Sequence, residues 1–200
     1  MKVGAIILAA GSSTRFGGGR DKLLAEWKGH ALIEYPLAAA ANAQMAGVIT
    51  ECLVVTQPTA TRIKSIAAAE GCRFVHPLPP PNEGISASLR AGVAALAPGA
   101  DGAIILLGDQ PQVTPEAIAG VIAAANGSPQ ALVRAHYQGT ADQLSHPVFI
   151  GRYHFGLVHE TTADKSFQAL TEERRLGWTE VWFDKNNLDV DFVEDLDLLN

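Results

Sequence analysis

The sequence has few cysteines and few basic residues, and both shortages exclude classes of protein. Its two cysteines, Cys52 and Cys72, form no C-x-x-C pair, so the chain has no disulfide framework and no zinc-ligand spacing. Such cysteine usage is typical of a reducing compartment. Lys and Arg number 15 against 21 Asp and Glu, which gives a formal net charge of −6. With no basic cluster outside one loop, we expect no nucleic-acid partner.

Long apolar runs are also missing. The first run, residues 3–10, is too short to span a membrane and passes into glycine without a signal-peptide cleavage pattern. We therefore expect a cytoplasmic protein with no membrane partner. No repeat or linker divides the 200 residues, a length that suits one domain with a substantial core.

Strand and helix patterns alternate along the chain, which predicts a three-layer α/β fold around a doubly wound, mostly parallel sheet. The Thr114-Pro115-Glu116 sequence marks one helix start, with a hydroxyl N-cap, a proline and an acid in the first turn. The strands are predicted at 3–10, 52–56, 73–76, 103–107, 131–135, 146–150 and 178–183, the last as an antiparallel edge strand. The helices are predicted at about 32–41, 59–69, 86–96, 115–125, 151–158, 166–174 and 193–199.

A glycine-rich loop follows the first strand. Residues 11–22 contain four glycines, three hydroxyl residues, two arginines and one lysine. Glycine lets the backbone approach a ligand closely, and clustered N–H groups beside Arg15, Arg20 and Lys22 would form an anion site. The order strand, basic glycine loop, helix predicts a phosphate-binding site at this point in the chain.

Two common phosphate loops do not fit this segment. No register of residues 11–22 supplies the Walker pattern, in which Gly-Lys-Ser/Thr follows four residues after a glycine. The dinucleotide fingerprint G-x-G-x-x-G fails as well, since Ser13 stands at its second glycine. The phosphate ligand therefore belongs to another class of nucleotide protein.

Carboxylates follow the strand at 103–107 and occur again near the C-terminal end. Asp109 stands two residues after that strand, and Asp189 and Asp191 alternate in a later extended segment. Nucleoside triphosphates carry Mg²⁺, which takes one or two carboxylates and keeps phosphate and water oxygens. We expect Asp109 and one of the later pair to hold Mg²⁺ or Mn²⁺. Asp191 is favoured and Asp189 is the alternative, because alternate residues of an extended chain point to opposite sides.

The glycine loop resembles the signature loop of the nucleotidyltransferases that activate small molecules with NTPs. Its Ala-Ala-Gly-Ser form is similar to that of the molybdenum cofactor cytidylyltransferases in the MobA-like NTP transferase family. The matching positions are Leu8, Ala9, Ala10, Gly11, Ser13, Arg15, Gly17 and Lys22. The resemblance implies a Rossmann-like fold of the nucleotide-diphospho-sugar transferase type. It also implies a nucleotide site that includes Leu8, Ala9, Ala10, Gly11, Ser12, Ser13, Arg15, Lys22, Asn82, Gly84 and Ser88.

Further segments carry the same resemblance. Residues 108–111, Gly-Asp-Gln-Pro, resemble the family's metal-binding segment, and 189–196 resemble its acidic C-terminal segment, with Phe192-Val193 in place of Thr-Pro. Residues 82–92 are similar to the segment that passes under the nucleobase, although Ser86 could equally be a helix N-cap.

The acceptor side of the site is implied by residues 145–149, which resemble a Gly-His-Pro segment with serine in place of glycine. A residue before proline is held extended, so His146 would point from a strand edge into the cleft. It would contact the phosphate or pterin of the acceptor, and a buried, satisfied core histidine is the competing interpretation. Gln110 is assigned to the acceptor as well.

By the same resemblance, the chain divides into a nucleotide-binding part (about 1–134), an acceptor-binding part (about 135–183) and a metal-ligand segment (187–200). The implied reaction transfers CMP from CTP to the terminal phosphate of molybdopterin, with Arg15, Lys22 and Asp109 as catalytic residues. A molybdoenzyme or its chaperone would be the next partner. The alternatives are a transferase that uses GTP or another small phosphate acceptor, and a non-catalytic nucleotide- or cofactor-binding protein.

Overall fold

A seven-stranded sheet forms the centre of the molecule. The computed structural model describes residues 1–11, 13, 16–17, 21–77, 84–137 and 145–199. The strands are β1 (Val3–Ala9), β2 (Glu26–Trp27), β3 (His30–Ala31), β4 (Glu51–Thr56), β5 (Arg73–Val75), β6 (Gly102–Leu107), β7 (Leu132–Tyr137), β8 (Ser145–Gly151) and β9 (Thr179–Phe183). The helices are α1 (Glu34–Met45), α2 (Thr61–Ala69), α3 (Gly84–Ala94), α4 (Pro115–Ala124), α5 (Phe155–His159) and α6 (Phe167–Glu173). Short 3₁₀ helices cover Lys22–Leu24, Arg152–His154 and Val193–Leu198.

The strand order is β5-β4-β1-β6-β8-β7-β9, and β2 pairs with β3 in a separate two-stranded sheet. Strands β5, β4, β1 and β6 are parallel neighbours, β8 is antiparallel to β6 and β7, and β9 is parallel to β7. This mostly parallel order confirms the predicted doubly wound α/β fold. Because β8 lies between β6 and β7, the residues after 135 extend the same sheet that contains β1.

Alternate side chains of β1 enter two different cores, and all seven of its residues are buried. Ala5 and Ile7 belong to a core that includes residues of α1, α2 and α4, whereas Ile6 and Leu8 belong to a core with residues of α3, α5 and α6. Since side chains of a strand point to alternate faces, these cores place helices on both sides of the sheet. The prediction that the first strand is buried on both faces is confirmed.

Local capping signals placed two helix starts correctly. The Thr114 hydroxyl accepts a hydrogen bond from the Ala117 N–H at 3.2 Å and caps α4, and the Ser166 hydroxyl accepts one from the Ala169 N–H at 3.1 Å and caps α6. The suggested N-cap role of Ser86 is wrong. Helix α3 begins two residues earlier, at Gly84, and the Ser86 hydroxyl donates to the Thr162 carbonyl at 2.8 Å.

The direction of the edge strand β9 also differs from the prediction. It lies at the edge of the sheet, as expected, but it is parallel to β7 rather than antiparallel. Between β7 and β9 the chain passes through β8, α5 and α6. A connection of that length can return the chain to the same end of the sheet, which is what a parallel pair requires.

Strand order places a cleft above the carboxyl ends of β1 and β6. From β1 the chain proceeds to β4 on one side, while β6 pairs with β1 on the other side. In open α/β sheets, ligands bind outside the carboxyl ends of the strands where the strand order reverses. None of the helices formed by the described residues has the length and apolar composition needed to cross a membrane.

Candidate active site

A cleft of about 400 Å³ opens at the carboxyl ends of β1 and β6. Its walls come from the end of β1, the glycine loop, the start of α3 and two acidic segments. The lining residues are Leu8, Ala9, Ala10, Gly11, Ser13, Lys22, Leu23, Gln57, Gly84, Ile85, Ser88, Leu107, Asp109 and Asp191. Of the nucleotide-site residues expected from the sequence, Ser12, Arg15 and Asn82 lie outside the described residues. The cleft therefore brings together the other members of that set.

A cation lies between two carboxylates in this cleft. The Lys22 Nζ is 2.6 Å from Asp109 Oδ2 and 2.8 Å from Asp191 Oδ1. The side chains are 12%, 20% and 40% exposed, respectively. Burial alone would lower the pKa of Lys22, but the hydrogen bonds to both carboxylates and their charges outweigh burial and raise it. The ammonium group therefore stays charged at neutral pH and marks a point with a strong preference for positive charge.

Backbone geometry places Lys22 and Asp109 at this point. Ser13, with a positive φ of 50°, accepts a hydrogen bond from the Lys22 N–H at 3.2 Å. The Asp21 carboxylate accepts one from the Leu23 N–H at 3.1 Å and so begins the 3₁₀ helix that contains Lys22. Before Asp109, a Cβ on Gly108 would lie 2.9 Å from Ile33 and 3.2 Å from the Leu8 carbonyl. Glycine therefore allows the end of β6 to pack closely against β1.

The C-terminal segment is held against the loop after β6 by backbone hydrogen bonds. The Val190 N–H donates to the Asp109 carbonyl at 3.0 Å, and Val190 is fully buried. The Asp195 carboxylate accepts hydrogen bonds from the N–H groups of Asp191 and Phe192 at 2.8 and 2.7 Å. Asp195 thus caps the last 3₁₀ helix, a role for which the Phe192 side chain has no suitable group. These bonds fix Asp191 opposite Asp109.

Asp189 belongs to a separate polar network beneath the cleft. The Gln110 Nε2 donates to Asp189 Oδ1 at 2.7 Å, and the Asn187 Nδ2 donates to Gln110 Oε1 and to the His146 carbonyl, each at 3.0 Å. Gln110 and Asn187 are each 4% exposed. Although Asp189 is itself exposed, desolvation by nearby protein atoms raises its pKa, and the charge of Asp109 adds to the shift. Asp189 and Asp191 thus have different partners, as their alternation in the sequence predicts.

Two polar residues of this site were missed by the sequence reasoning. Asn187 links the C-terminal segment to Gln110 and β8, and Gln57 lines the cleft with its Nε2 donating to the Ala10 carbonyl at 2.9 Å. Neither residue belongs to a motif that marks a role. Their contacts span 77 and 47 positions of the chain, so sequence proximity gives no indication of them.

His146 lies outside the 400 Å³ cleft and lines an adjoining apolar cavity. Its Nδ1 is buried and has no hydrogen-bond partner. Burial lowers the pKa of His146 to about 4, so the imidazole is neutral at physiological pH. A neutral ring at this position can donate or accept a hydrogen bond but cannot pair electrostatically with a phosphate.

We expect this buried histidine to make stability depend on pH. The unfolded chain binds a proton on His146 near pH 6.5, whereas the folded protein binds it near pH 4. Stability is therefore highest above pH 6.5 and falls as the pH is lowered toward 4. Between pH 7.5 and pH 5 the free energy of unfolding should fall by about 2 kcal/mol.

Urea unfolding of the wild-type protein and of His146→Gln across this range measures the effect. The variant titrates every other group but not this one, so its profile should lack the decrease that the wild-type protein shows. Equal slopes for the two proteins would contradict a buried neutral histidine.

The carboxylate pair suits a divalent cation that arrives with a phosphate ligand. Asp109 and Asp191 already converge on one positive group, the Lys22 ammonium. Among residues 1–11, 13, 16–17, 21–77, 84–137 and 145–199, no group of three or more His, Cys, Asp or Glu side chains could hold a metal ion. Mg²⁺ characteristically binds through one or two carboxylates plus substrate phosphates and water. The donor set therefore fits a magnesium–triphosphate complex better than a metal site built from protein ligands alone.

Comparison with known proteins agrees with this arrangement. Residues 5–177 match the family model described as the MobA-like NTP transferase domain. A crystal structure of a Mycobacterium tuberculosis Rv0371c homologue from Mycobacterium sp. strain JC1 is 28% identical, with 98% of this chain and 93% of that chain covered and a TM-score of 0.79. No curated protein sequence gives a significant match.

Two further solved structures resemble the chain over almost its whole length. The M. tuberculosis H37Rv Rv0371c structure in complex with manganese is 25% identical, covers 99% of this chain and 97% of that chain, and has a TM-score of 0.75. A nucleotidyl transferase from Methanothermobacter thermautotroptrophicus is 21% identical over 97% of this chain and 94% of that chain, with a TM-score of 0.78, and shows the shared fold.

Proposed function

Because the chain belongs to the MobA-like NTP transferase family, we propose that it is a Mg²⁺-dependent nucleotidyltransferase that moves CMP from CTP to the terminal phosphate of molybdopterin. The supporting observation is the convergence of Asp109 and Asp191 on one cation at the carboxyl ends of β1 and β6. Pyrophosphate is the second product. The reaction takes place in the cytoplasm, and a molybdoenzyme or its chaperone receives the product.

The nucleophile needs no catalytic base. A phosphate monoester has a second pKa of about 6, so its oxygen is already an anion at neutral pH. Catalysis then depends on alignment and on charge neutralisation. Lys22 neutralises the α-phosphate and Arg15 the β- and γ-phosphates. The backbone of Gly11 to Ser13 contacts the triphosphate, while Gly84 and Ser88 lie beside the base.

Asp109 and Asp191 hold Mg²⁺ or Mn²⁺ in this proposal. When bound, the metal supplies Lewis-acid stabilisation of the charge on the phosphate oxygens. Asp191 is preferred to Asp189 because its carboxylate shares a cation with Asp109, whereas an oxygen of Asp189 is held by Gln110. Both ends of the Gln110 amide have protein partners, so we assign Gln110 to positioning Asp189 beside the acceptor phosphate rather than to gripping the acceptor directly.

The reaction class and its substrates are tested separately. Purified protein with Mg²⁺ is incubated with each of the four NTPs, with and without molybdopterin, and pyrophosphate release is measured. We expect release with CTP that requires the acceptor, and at least tenfold less with GTP. Preference for GTP would overturn the donor assignment, and release with another phosphate acceptor but not molybdopterin would overturn the acceptor. NTP binding without turnover under any condition would favour a binding protein.

A further inference from the structure

A second cavity, of about 210 Å³, adjoins the nucleotide cleft. Leu8 and Ile85 line both spaces, so they are continuous beside the start of α3. This second cavity lies between α3, α6 and the face of the sheet opposite α1. Its walls are mainly apolar, formed by Leu89, Ile105, Val148, Ile150, Phe167 and Trp178.

Most polar groups that line this cavity already have protein partners. The Ser86 hydroxyl donates to the Thr162 carbonyl at 2.8 Å, and the Ser166 hydroxyl caps α6. The Trp178 Nε1 donates to Thr171 Oγ1 at 3.2 Å, and the Gln168 Nε2 donates to Glu172 Oε1 at 2.9 Å. A ligand in this cavity therefore meets few polar groups that are ready to bind it.

His146 is the exception among the described lining residues. Its Nδ1 is buried and has no hydrogen-bond partner. Buried polar atoms are nearly always paired in folded proteins, so an unpaired nitrogen beside a cavity indicates a missing ligand group. Burial keeps this imidazole uncharged at neutral pH, since the pKa of His146 is lowered to about 4. Nδ1 can then accept one hydrogen bond.

We propose that this second cavity receives the body of the phosphate acceptor and selects a flat, uncharged heterocycle that donates one hydrogen bond to His146 Nδ1. The inference rests on the proposed function and specifies its acceptor class. Apolar walls contact the ring faces, and the aromatic pair Phe167 and Trp178, at 6.2 Å between ring centroids, forms part of them. The acceptor phosphate then extends past Ile85 toward Asp109.

The same cavity disfavours other acceptors of phosphate-activating enzymes. A sugar phosphate would bury several hydroxyls against apolar walls, and each unpaired hydroxyl is costly. A quaternary ammonium acceptor would leave the His146 nitrogen without a donor. A site built around one hydrogen bond rejects an analogue that lacks the matching group, because its own buried atom then remains unpaired.

Probes without a phosphate separate this inference from turnover. Quinazolin-4(3H)-one is flat and uncharged with one N–H donor, its 3-methyl derivative lacks the donor, and glucose represents the sugars. Binding to the full-length protein is measured by saturation-transfer NMR. We expect quinazolinone to bind saturably, the methyl derivative to bind at least tenfold more weakly, and glucose not to bind.

Variants locate the bound probe. His146→Phe keeps an aromatic ring but removes the nitrogen, so the preference for quinazolinone over its methyl derivative should disappear. Leu89→Trp fills the cavity and should abolish binding of both, whereas Leu198→Trp, at an exposed position outside the cavity, should leave binding unchanged. CTP affinity, measured in parallel, reports whether each variant retains its fold and nucleotide cleft.

The outcomes for the cavity and for the enzyme are distinct. Absent quinazolinone binding, or an undiminished donor preference in His146→Phe with CTP affinity retained, would overturn the acceptor class even if the protein releases pyrophosphate. Donor-dependent binding that is lost in Leu89→Trp would support the acceptor class. Failure to release pyrophosphate with any NTP would overturn the reaction but not the recognition of the ring.

Discussion

Replacing Asp109 by asparagine is expected to lower kcat/KM for pyrophosphate release by about a thousandfold, equivalent to about 4 kcal/mol of transition-state stabilisation. The amide keeps the shape of the side chain but removes the charge opposite Asp191. The point now held by the Lys22 ammonium, 2.6 Å from Asp109 Oδ2, would have one carboxylate instead of two. Cation binding at the triphosphate then weakens while the walls of the cleft remain.

The matched control is Asp184→Asn, which removes an exposed carboxylate after β9. We expect its kcat/KM to equal that of the wild-type protein. Both variants should unfold cooperatively, with melting temperatures within a few degrees of the wild type. If Asp109→Asn retains more than a tenth of the wild-type kcat/KM, Asp109 is not a metal ligand.

Replacing Lys22 by methionine is expected to change two measurements in opposite directions. Pyrophosphate release should fall by about a hundredfold or more, since the α-phosphate loses its point charge. Mn²⁺ binding to the nucleotide-free protein should tighten by about tenfold, because the ammonium that competes for Asp109 and Asp191 is gone. Free Mn²⁺ measured by electron paramagnetic resonance gives the affinity without reference to turnover.

Lys28→Met is the control for this variant. Lys28 is an exposed lysine near Lys22 in the chain, and its Nζ lies 4.4 Å from the centre of the Trp27 ring, away from the carboxylates. Its Mn²⁺ affinity and activity should match the wild type. The metal-free Lys22→Met protein should also unfold more easily, by about 1–3 kcal/mol, and Mn²⁺ should restore its stability. Unchanged or weaker Mn²⁺ binding would show that the ammonium does not compete with the metal.

The parts of the fold that the sequence predicts are those with local signals. Alternating apolar residues in 3–9 and 102–107 are sufficient to identify the two central strands, and the Thr114 hydroxyl before Pro115 is sufficient to locate the start of α4. Each of these signals involves neighbours within a few positions. They also place the glycine loop and Asp109 at adjacent strand ends, where the cleft is found.

What the sequence does not predict depends on contacts between distant segments. The parallel direction of β9 follows from the path through β8, α5 and α6, and the start of α3 at Gly84 leaves Ser86 inside the helix. The salt bridge of Lys22 with Asp191 spans 169 positions, and no periodicity or motif specifies it. Register and packing decide such contacts after the elements have formed.

The most direct test of the shared cation site is a crystal structure of the protein with CTP and Mn²⁺, with anomalous data collected near the manganese absorption edge. The account predicts one anomalous peak bonded to carboxylate oxygens of both Asp109 and Asp191, with the Lys22 ammonium displaced onto the triphosphate. A peak that contacts neither carboxylate, or a nucleotide bound while Lys22 still bridges the two aspartates, would contradict it.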